Sequence, residues 1–233
     1  MNKTVAIIGA NGKAGSTIAS GLAAANYRVL LTDEIEKHPY LYVKLLILQY
    51  RIRLKSSRVD VEMVLSEREA SWEADIVILA VPFAAQPEIA LKIKDVVTGK
   101  IVVTMIDVQN KASENLATVP ACTVVGELQQ ILPYSKIVKA FNPLFNATLK
   151  KPQAARQIID VFVAGDDKEA VSTVKQLARD TGFNPLSTDT LDMSRILNNS
   201  RGPIGSKVLQ KTVDQDERKI LEHSQSKRRE DQK

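Results

Sequence analysis

Three glycines fall within seven residues, Gly9-Ala10-Asn11-Gly12-Lys13-Ala14-Gly15, directly after the apolar run Val5-Ala6-Ile7-Ile8 and before the small, aliphatic stretch Ser16 to Ala25. Residues without bulk at a strand-to-helix turn let an anion approach the backbone, and the first amides of a helix have no acceptor inside it, so they point at that anion. The chemistry of such a turn is the grip of a diphosphate, with Gly9, Ala10, Asn11, Gly12, Lys13 and Ala14 as candidate contacts. The G-x-x-G-x-x-G spacing is one residue longer than the commonest dinucleotide fingerprint, and a tight turn that uses glycine only for packing would look the same. Context argues for the nucleotide: a second run, Tyr27 to Thr32, arrives at the expected distance and ends on Asp33.

Other candidate groups lie where further apolar runs end. Thr32-Asp33 places a carboxylate where it would accept hydrogen bonds from the adenosine ribose and repel a 2′-phosphate, an arrangement that leans toward NAD over NADP. Lys37 or His38 would be the cations within reach of a phosphate there; a solvated strand end that begins a helix is the other reading of this segment. Ala80-Val81-Pro82 closes the run from Asp75 and would turn the chain under the nicotinamide. Asn142 would bond a carboxamide or a substrate carbonyl, and Phe141 and Phe145 would form either a flat apolar wall for an aromatic substrate or part of the core. Neither His38 nor His223 reads as a general base, so no catalytic residue is assigned. Metal-ligand spacing and a G-x-S-x-G elbow are both missing from the sequence. Hydride exchange between two cofactors suits such a site, because there positioning dominates and the organic molecules bring the reactivity.

The elements that must hold these residues follow from periodicity. Strand-like runs recur at Val59–Val64, Asp75–Val81, Lys100–Asp107, Lys136–Phe141 and Gln157–Ala164, with helical patterns at Gln86 to Val97 and Lys168 to Thr181, the last ending at Gly182. Alternating strands and helices imply an α/β fold: a doubly wound, mostly parallel sheet of the Rossmann NAD(P)-binding type. The segment 40 to 55 is apolar along two stripes, Leu41, Leu45, Leu48 and Ile52 on one and Val43, Ile47, Tyr50 and Leu54 on the other. One stripe suffices to dock on the sheet, and the second would face a partner copy or lie under neighbouring loops; Lys44, Gln49 and Arg51 argue against a membrane span.

The chain has 233 residues, 44% of them hydrophobic, and a formal net charge of +5. That supports one generous domain over residues 1–197, with 198–233 as a breaker-rich segment and charged tail forming a short C-terminal extension. Residues 201 to 233 hold nine Lys/Arg and six Asp/Glu, so the body is nearly balanced and a nucleic-acid partner is not expected. The lone Cys122 and the absence of a charged-then-apolar leader point to the cytoplasm.

Ile7-Ile8-Gly9-Ala10-Asn11-Gly12, Asp75 to Pro82, Leu132 to Asn142 and Val163-Ala164-Gly165-Asp166-Asp167 together resemble the coenzyme F-420 (deazaflavin)-dependent NADP oxidoreductase family. Thr181 to Pro185, Leu191 and Arg195 continue the likeness, which spans roughly residues 3 to 197. The resemblance implies a Rossmann-type domain, NADP at the glycine turn, and hydride exchange with a deazaflavin or flavin over Pro82 and Phe141-Asn142. Three departures stand out: carboxylates at Thr32-Asp33-Glu34 where the family carries Arg, Pro143 where it carries Thr after Phe-Asn, and the altered C-terminus. The function expected is an NAD(P)-dependent oxidoreductase passing hydride between a nicotinamide cofactor and a deazaflavin, flavin or similar acceptor, with Phe141, Asn142 and Pro143 toward the substrate. A dinucleotide-binding sensor without turnover and an imine or carbonyl reductase are the alternatives.

Overall fold

The computed structural model describes residues 3–55, 59–105, 121–141 and 159–188. All of them lie in the first of two units into which the chain divides, Met1–Ser194. The expected extension at 198–233 is outside the described residues.

The chain runs β1 (Thr4–Ile8), α1 (Lys13–Ala24), β2 (Arg28–Thr32), α2 (Tyr40–Arg53), β3 (Val61–Met63), α3 (Glu67–Glu73) and β4 (Ile76–Leu79). It continues through α4 (Gln86–Ile93), β5 (Ile101–Thr104), α5 (Ala121–Ile131), β6 (Lys136–Lys139), β7 (Ile159–Gly165), α6 (Lys168–Asp180) and β8 (Phe183–Thr188). The eight strands form one sheet in the order β3-β2-β1-β4-β5-β6-β7-β8. Strands β1 to β6 are parallel, β7 runs antiparallel to β6, and β8 is parallel to β7. The mostly parallel, doubly wound sheet expected from the sequence is therefore present. Strand order reverses between β1 and β4, which opens a crevice outside their carboxyl ends.

Alternation along each strand sorts the core into two layers. Val5, Ile7, Leu31 and Ile78 point to the side covered by α1, α2 and α6. Ala6, Ile8, Leu30 and Leu79 point to the side covered by α3, α4 and α5. With both faces covered, a strand such as Val5–Ile8 is apolar at every position, and all four residues are fully buried.

Strands are shorter than the apolar runs suggested, because flanking residues spill into turns. Helix α4 stops at Ile93 and tightens into a 3-10 turn at Lys94–Val96. Gly182, expected as the cap of α6, has φ +87, the left-handed geometry that glycine adopts without strain. Three elements had no counterpart in the sequence reading. Helix α3 is only seven residues long and is set by the Ser66 side chain, which accepts from the Glu69 amide. Helix α5 spans the lone cysteine, and β8 carries Pro185 in its middle.

The outer strands are poor partners for further pairing. Strand β3 has three residues, and its Val61 carbonyl accepts from Gln49 Nε2 at 3.1 Å and from Arg53 Nη2 at 2.7 Å, both on α2. At the opposite edge Pro185 lacks an N–H to donate. Strand β6 meets β7 only at Ala164 and Gly165, whereas β8 pairs with β7 along Ile159 to Ala164, so these two strands project past the carboxyl end of β6.

Candidate functional site

The glycine turn sits at the carboxyl end of β1, where the strand order reverses. Gly9 has φ +87, and its amide and that of Ala10 donate to the Thr32 carbonyl at 3.0 and 3.1 Å, which ties the turn to β2. A Cβ on Gly9 would lie 2.7 Å from the Ala80 carbonyl oxygen and 2.8 Å from Val81 Cγ1. One on Gly15 would run into the Gly9 carbonyl and stand 3.0 Å from Ala10 Cα. Two of the three glycines are thus demanded by packing, which is the plainer of the two readings of the motif.

Gly12 differs. A Cβ there meets nothing closer than the Gly9 carbonyl oxygen at 3.3 Å. Gly12 is the N-cap of α1, in extended backbone, with no capping side chain and no acidic residue in the first turn. The first intrahelical bond runs from Ser16 N–H to Gly12 O at 2.9 Å, so the amides of Lys13, Ala14 and Gly15 have no acceptor within the helix. By contrast Ser66 caps α3 and Asp167 caps α6, each followed by acidic residues in the first turn. Helix α1 alone of these three presents bare amides and an uncompensated positive dipole end to the crevice.

Asp33 is buried and does two things at once. Its Oδ2 accepts from the Asn11 amide at 3.2 Å and its Oδ1 from the Glu34 amide at 3.0 Å, so the carboxylate fastens the glycine turn to the end of β2. Asn11 Nδ2 donates to the Leu41 carbonyl at 3.3 Å and carries the link on to the first turn of α2. The Thr32 hydroxyl is fully buried beside this turn and has no partner among the described residues. Lys37, one of the cations the sequence placed near a phosphate, is engaged: its Nζ donates to Glu88 at 2.6 Å and Glu34 at 2.9 Å. The bond to Glu88 and then that to Glu34 hold its ammonium above the usual lysine range, and the same lysine holds the Glu88 carboxyl below its own.

Ala80 extends the ladder, its amide donating to Ile8 O at 2.8 Å, while Val81 is buried and Pro82 opens a 3-10 turn at Phe83–Ala85. Behind this turn lies a polar pair that sequence reasoning missed. Gln86 and Thr104 are both fully buried; Thr104 Oγ1 donates to Gln86 Oε1 at 2.7 Å, and Gln86 Nε2 donates to the Val81 carbonyl at 3.4 Å. Strand β6 likewise ends on a buried Lys139. The legible signal was a polar residue closing an apolar run, seen at Thr32 but also present at Thr104 and Lys139.

Phe141 resolves toward the core. Its ring is 1% exposed and meets Phe183 edge-on at 5.8 Å between centroids, which is the core position of the two the sequence left open. Its φ of +54 is rare for a bulky residue and marks a sharp change of direction where β6 leaves the sheet. Asn142 and Pro143 lie outside the described residues.

The geometry fits a dinucleotide, with a bare helix terminus at the switch point, room at Gly12, and a buried orphan hydroxyl at the end of the neighbouring β2. Comparison with known proteins agrees. Residues 4–107 match the family described as NADP oxidoreductase, coenzyme F420-dependent. An F420-dependent NADP reductase of Methanocaldococcus jannaschii is 27% identical over 199 residues, covering 83% of this chain and 86% of that one. A hypothetical protein of Sinorhizobium meliloti superimposes with a TM-score of 0.64 at 24% identity over 87% of this chain and 92% of that one. A pyrroline-5-carboxylate reductase of Coxiella burnetii gives 0.62 at 16% identity over 94% and 72%; at such identities the likeness is one of fold. The resemblance read from the sequence is matched by the family model over residues 4–107, and the chain is an NAD(P)-dependent oxidoreductase.

Proposed function

We propose that the protein passes hydride between a nicotinamide cofactor and a deazaflavin or flavin acceptor at the carboxyl ends of β1, β4 and β5. The observation that carries this reading is the uncapped N-terminus of α1 at Gly12, aimed into the crevice between β1 and β4. The amides of Lys13 and Ala14 hold the diphosphate, Gly12 gives it room, and Asn11 and Asp33 keep the turn in shape while Asp33 faces the ribose. Ala80, Val81 and Pro82 lie beneath the nicotinamide, and the buried Gln86–Thr104 pair positions them by fixing the Val81 carbonyl. When bound, the nicotinamide supplies or takes up the hydride. The chain's own part is to bind, orient and exclude water. Asn142 and Pro143 are assigned to the acceptor side on the strength of the family resemblance, and residues 1–197 are read as one dinucleotide domain.

Charge at the ribose end supports NADH as the better substrate. A 2′-phosphate would meet Asp33 and Glu34, with Lys37 already held by Glu34 and Glu88. Stopped-flow absorbance with NADH and NADPH against a deazaflavin, a flavin and ferric chelates tests the proposal. Oxidation of NADH by the deazaflavin or flavin is expected. Tight nucleotide binding with no oxidation by any acceptor would replace it with the sensor reading.

A further inference from the structure

Helix α2 carries two apolar faces, and the sheet uses only one. Leu41, Leu45 and Ile52 are buried on the sheet side, while Tyr40, Val43, Ile47, Tyr50 and Leu54 on the other side are between 52% and 68% exposed. The exposed five recur at alternating steps of three and four, the seam of a helix that packs lengthwise against another helix. Tyr42 and Leu46, each 40% exposed, widen it on one flank. The polar residues beyond that flank are committed inward, since Gln49 and Arg53 both donate to the Val61 carbonyl. Lys44 and Arg51 border the other flank, with the Lys44 ammonium 5.0 Å from the centre of the Tyr40 ring.

We infer that this seam pairs with the same helix of a second copy, antiparallel, about a two-fold axis at Ile47. The seam is self-complementary in that arrangement. Tyr40 meets the partner's Leu54, Val43 meets the partner's Tyr50, and Ile47 meets its own copy, so every layer sets a ring against an aliphatic group or two branched aliphatics together. Seven side chains with about 100 Å² each outside would remove on the order of 600 Å² per copy, at the threshold of a specific interface and at the upper end of the apolar patches found on monomers. The inference does not depend on the hydride acceptor, because the seam is the face of α2 turned away from the sheet, and the Asn11–Leu41 bond ties the helix to the glycine turn.

The pairing carries an electrostatic signature. It brings Lys44 beside the partner's Arg51, a like-charge contact that salt screens, so the dimer tightens as ionic strength rises. Sedimentation equilibrium on the full chain at micromolar to tens-of-micromolar concentration reads this directly. A dimer is expected for the natural sequence, at least a tenfold weaker one for Ile47→Glu, and a tighter one with reversed salt dependence for Lys44→Glu, which would pair with Arg51. Circular dichroism and nucleotide calorimetry check that each variant is folded. In a Cys122→Ser background, Ile47→Cys should form an intermolecular disulfide on mild oxidation. A monomer under all conditions, including one whose tail at 198–233 shields Ile47, overturns the inference, as does a dimer indifferent to both Ile47→Glu and Lys44→Glu.

Discussion

Helices α1 and α6 cover the same face of the sheet and touch near their C-terminal ends, where a Cβ on Gly21 would stand 3.2 Å from Thr181 Cβ and Tyr27 OH donates to Asp180 at 2.6 Å. Their N-termini are treated in opposite ways. Asp167 closes α6 by accepting from the Ala170 amide at 2.8 Å, and Lys136 neutralises that carboxylate from 3.2 Å. Gly12 leaves α1 open. Asp167 satisfies the α6 terminus from within, and the terminus left without a side-chain cap is the one we assign to the diphosphate.

The contrast can be broken most severely at Gly9. Gly9→Ala forces a Cβ onto the Ala80 carbonyl from a positive φ, and a loss of about 3 kcal/mol in urea unfolding, with nucleotide binding abolished, is expected. Gly12→Asp makes α1 resemble α6. Calorimetry should show nucleotide affinity falling at least about tenfold, because a carboxylate takes the diphosphate's place, while stability stays within about 1 kcal/mol. An affinity that survives Gly12→Asp would show that the diphosphate does not sit on α1.

Asp167→Ala is the converse experiment, expected to lower the melting temperature modestly and leave nucleotide affinity unchanged. The bond from Ala170 N–H, and then Lys136, hold the Asp167 carboxyl below the usual range, so its stabilisation is present above the unfolded pKa of about 4 and is lost as pH falls toward the folded value. Acid titration of stability should therefore be flatter in the variant than in the parent. The smallest effect is expected at the shared end. Burial, and then the bond to Asp180, push the Tyr27 hydroxyl up to about 12, above its unfolded value, so its contribution is complete below about pH 10 and fades as pH rises toward 12. Tyr27→Phe should remove that alkaline limb from thermal melts and lower stability modestly at neutral pH, where the bond to Asp180 is intact.

The buried parallel strands were legible because both faces are covered, which makes a run such as Val5–Ile8 continuously apolar. Strand β7 was legible as the run Gln157–Ala164 but its antiparallel direction was not, since residue patterns fix which groups are buried and leave direction to the connection. Strand β8 escaped notice because Pro185 reads as a breaker, and only an edge position tolerates it. In the site, the glycines announced a turn, but that the fold itself needs Gly9 and Gly15 appeared only with Ala80 and Val81 packed against Gly9 and the Gly9 carbonyl against Gly15. Asp33 was visible as the carboxylate that closes the second apolar run. Its hold on the Asn11 amide was invisible, because bonds between a side chain and a distant backbone group leave no periodic trace. Gln86 and Thr104 were missed for the same reason: each reads as an ordinary polar residue until the other is found against it.

At one border of the sheet Gln49 and Arg53 hold the Val61 carbonyl, and at the other Pro185 offers no N–H to a further strand. A protein with receptive borders and a greasy helix could stack into ribbons that lengthen without limit. In the pairing proposed for α2, growth has no propagating direction: a patch that recognises only its own image is used up at the first encounter, and the assembly is complete at two.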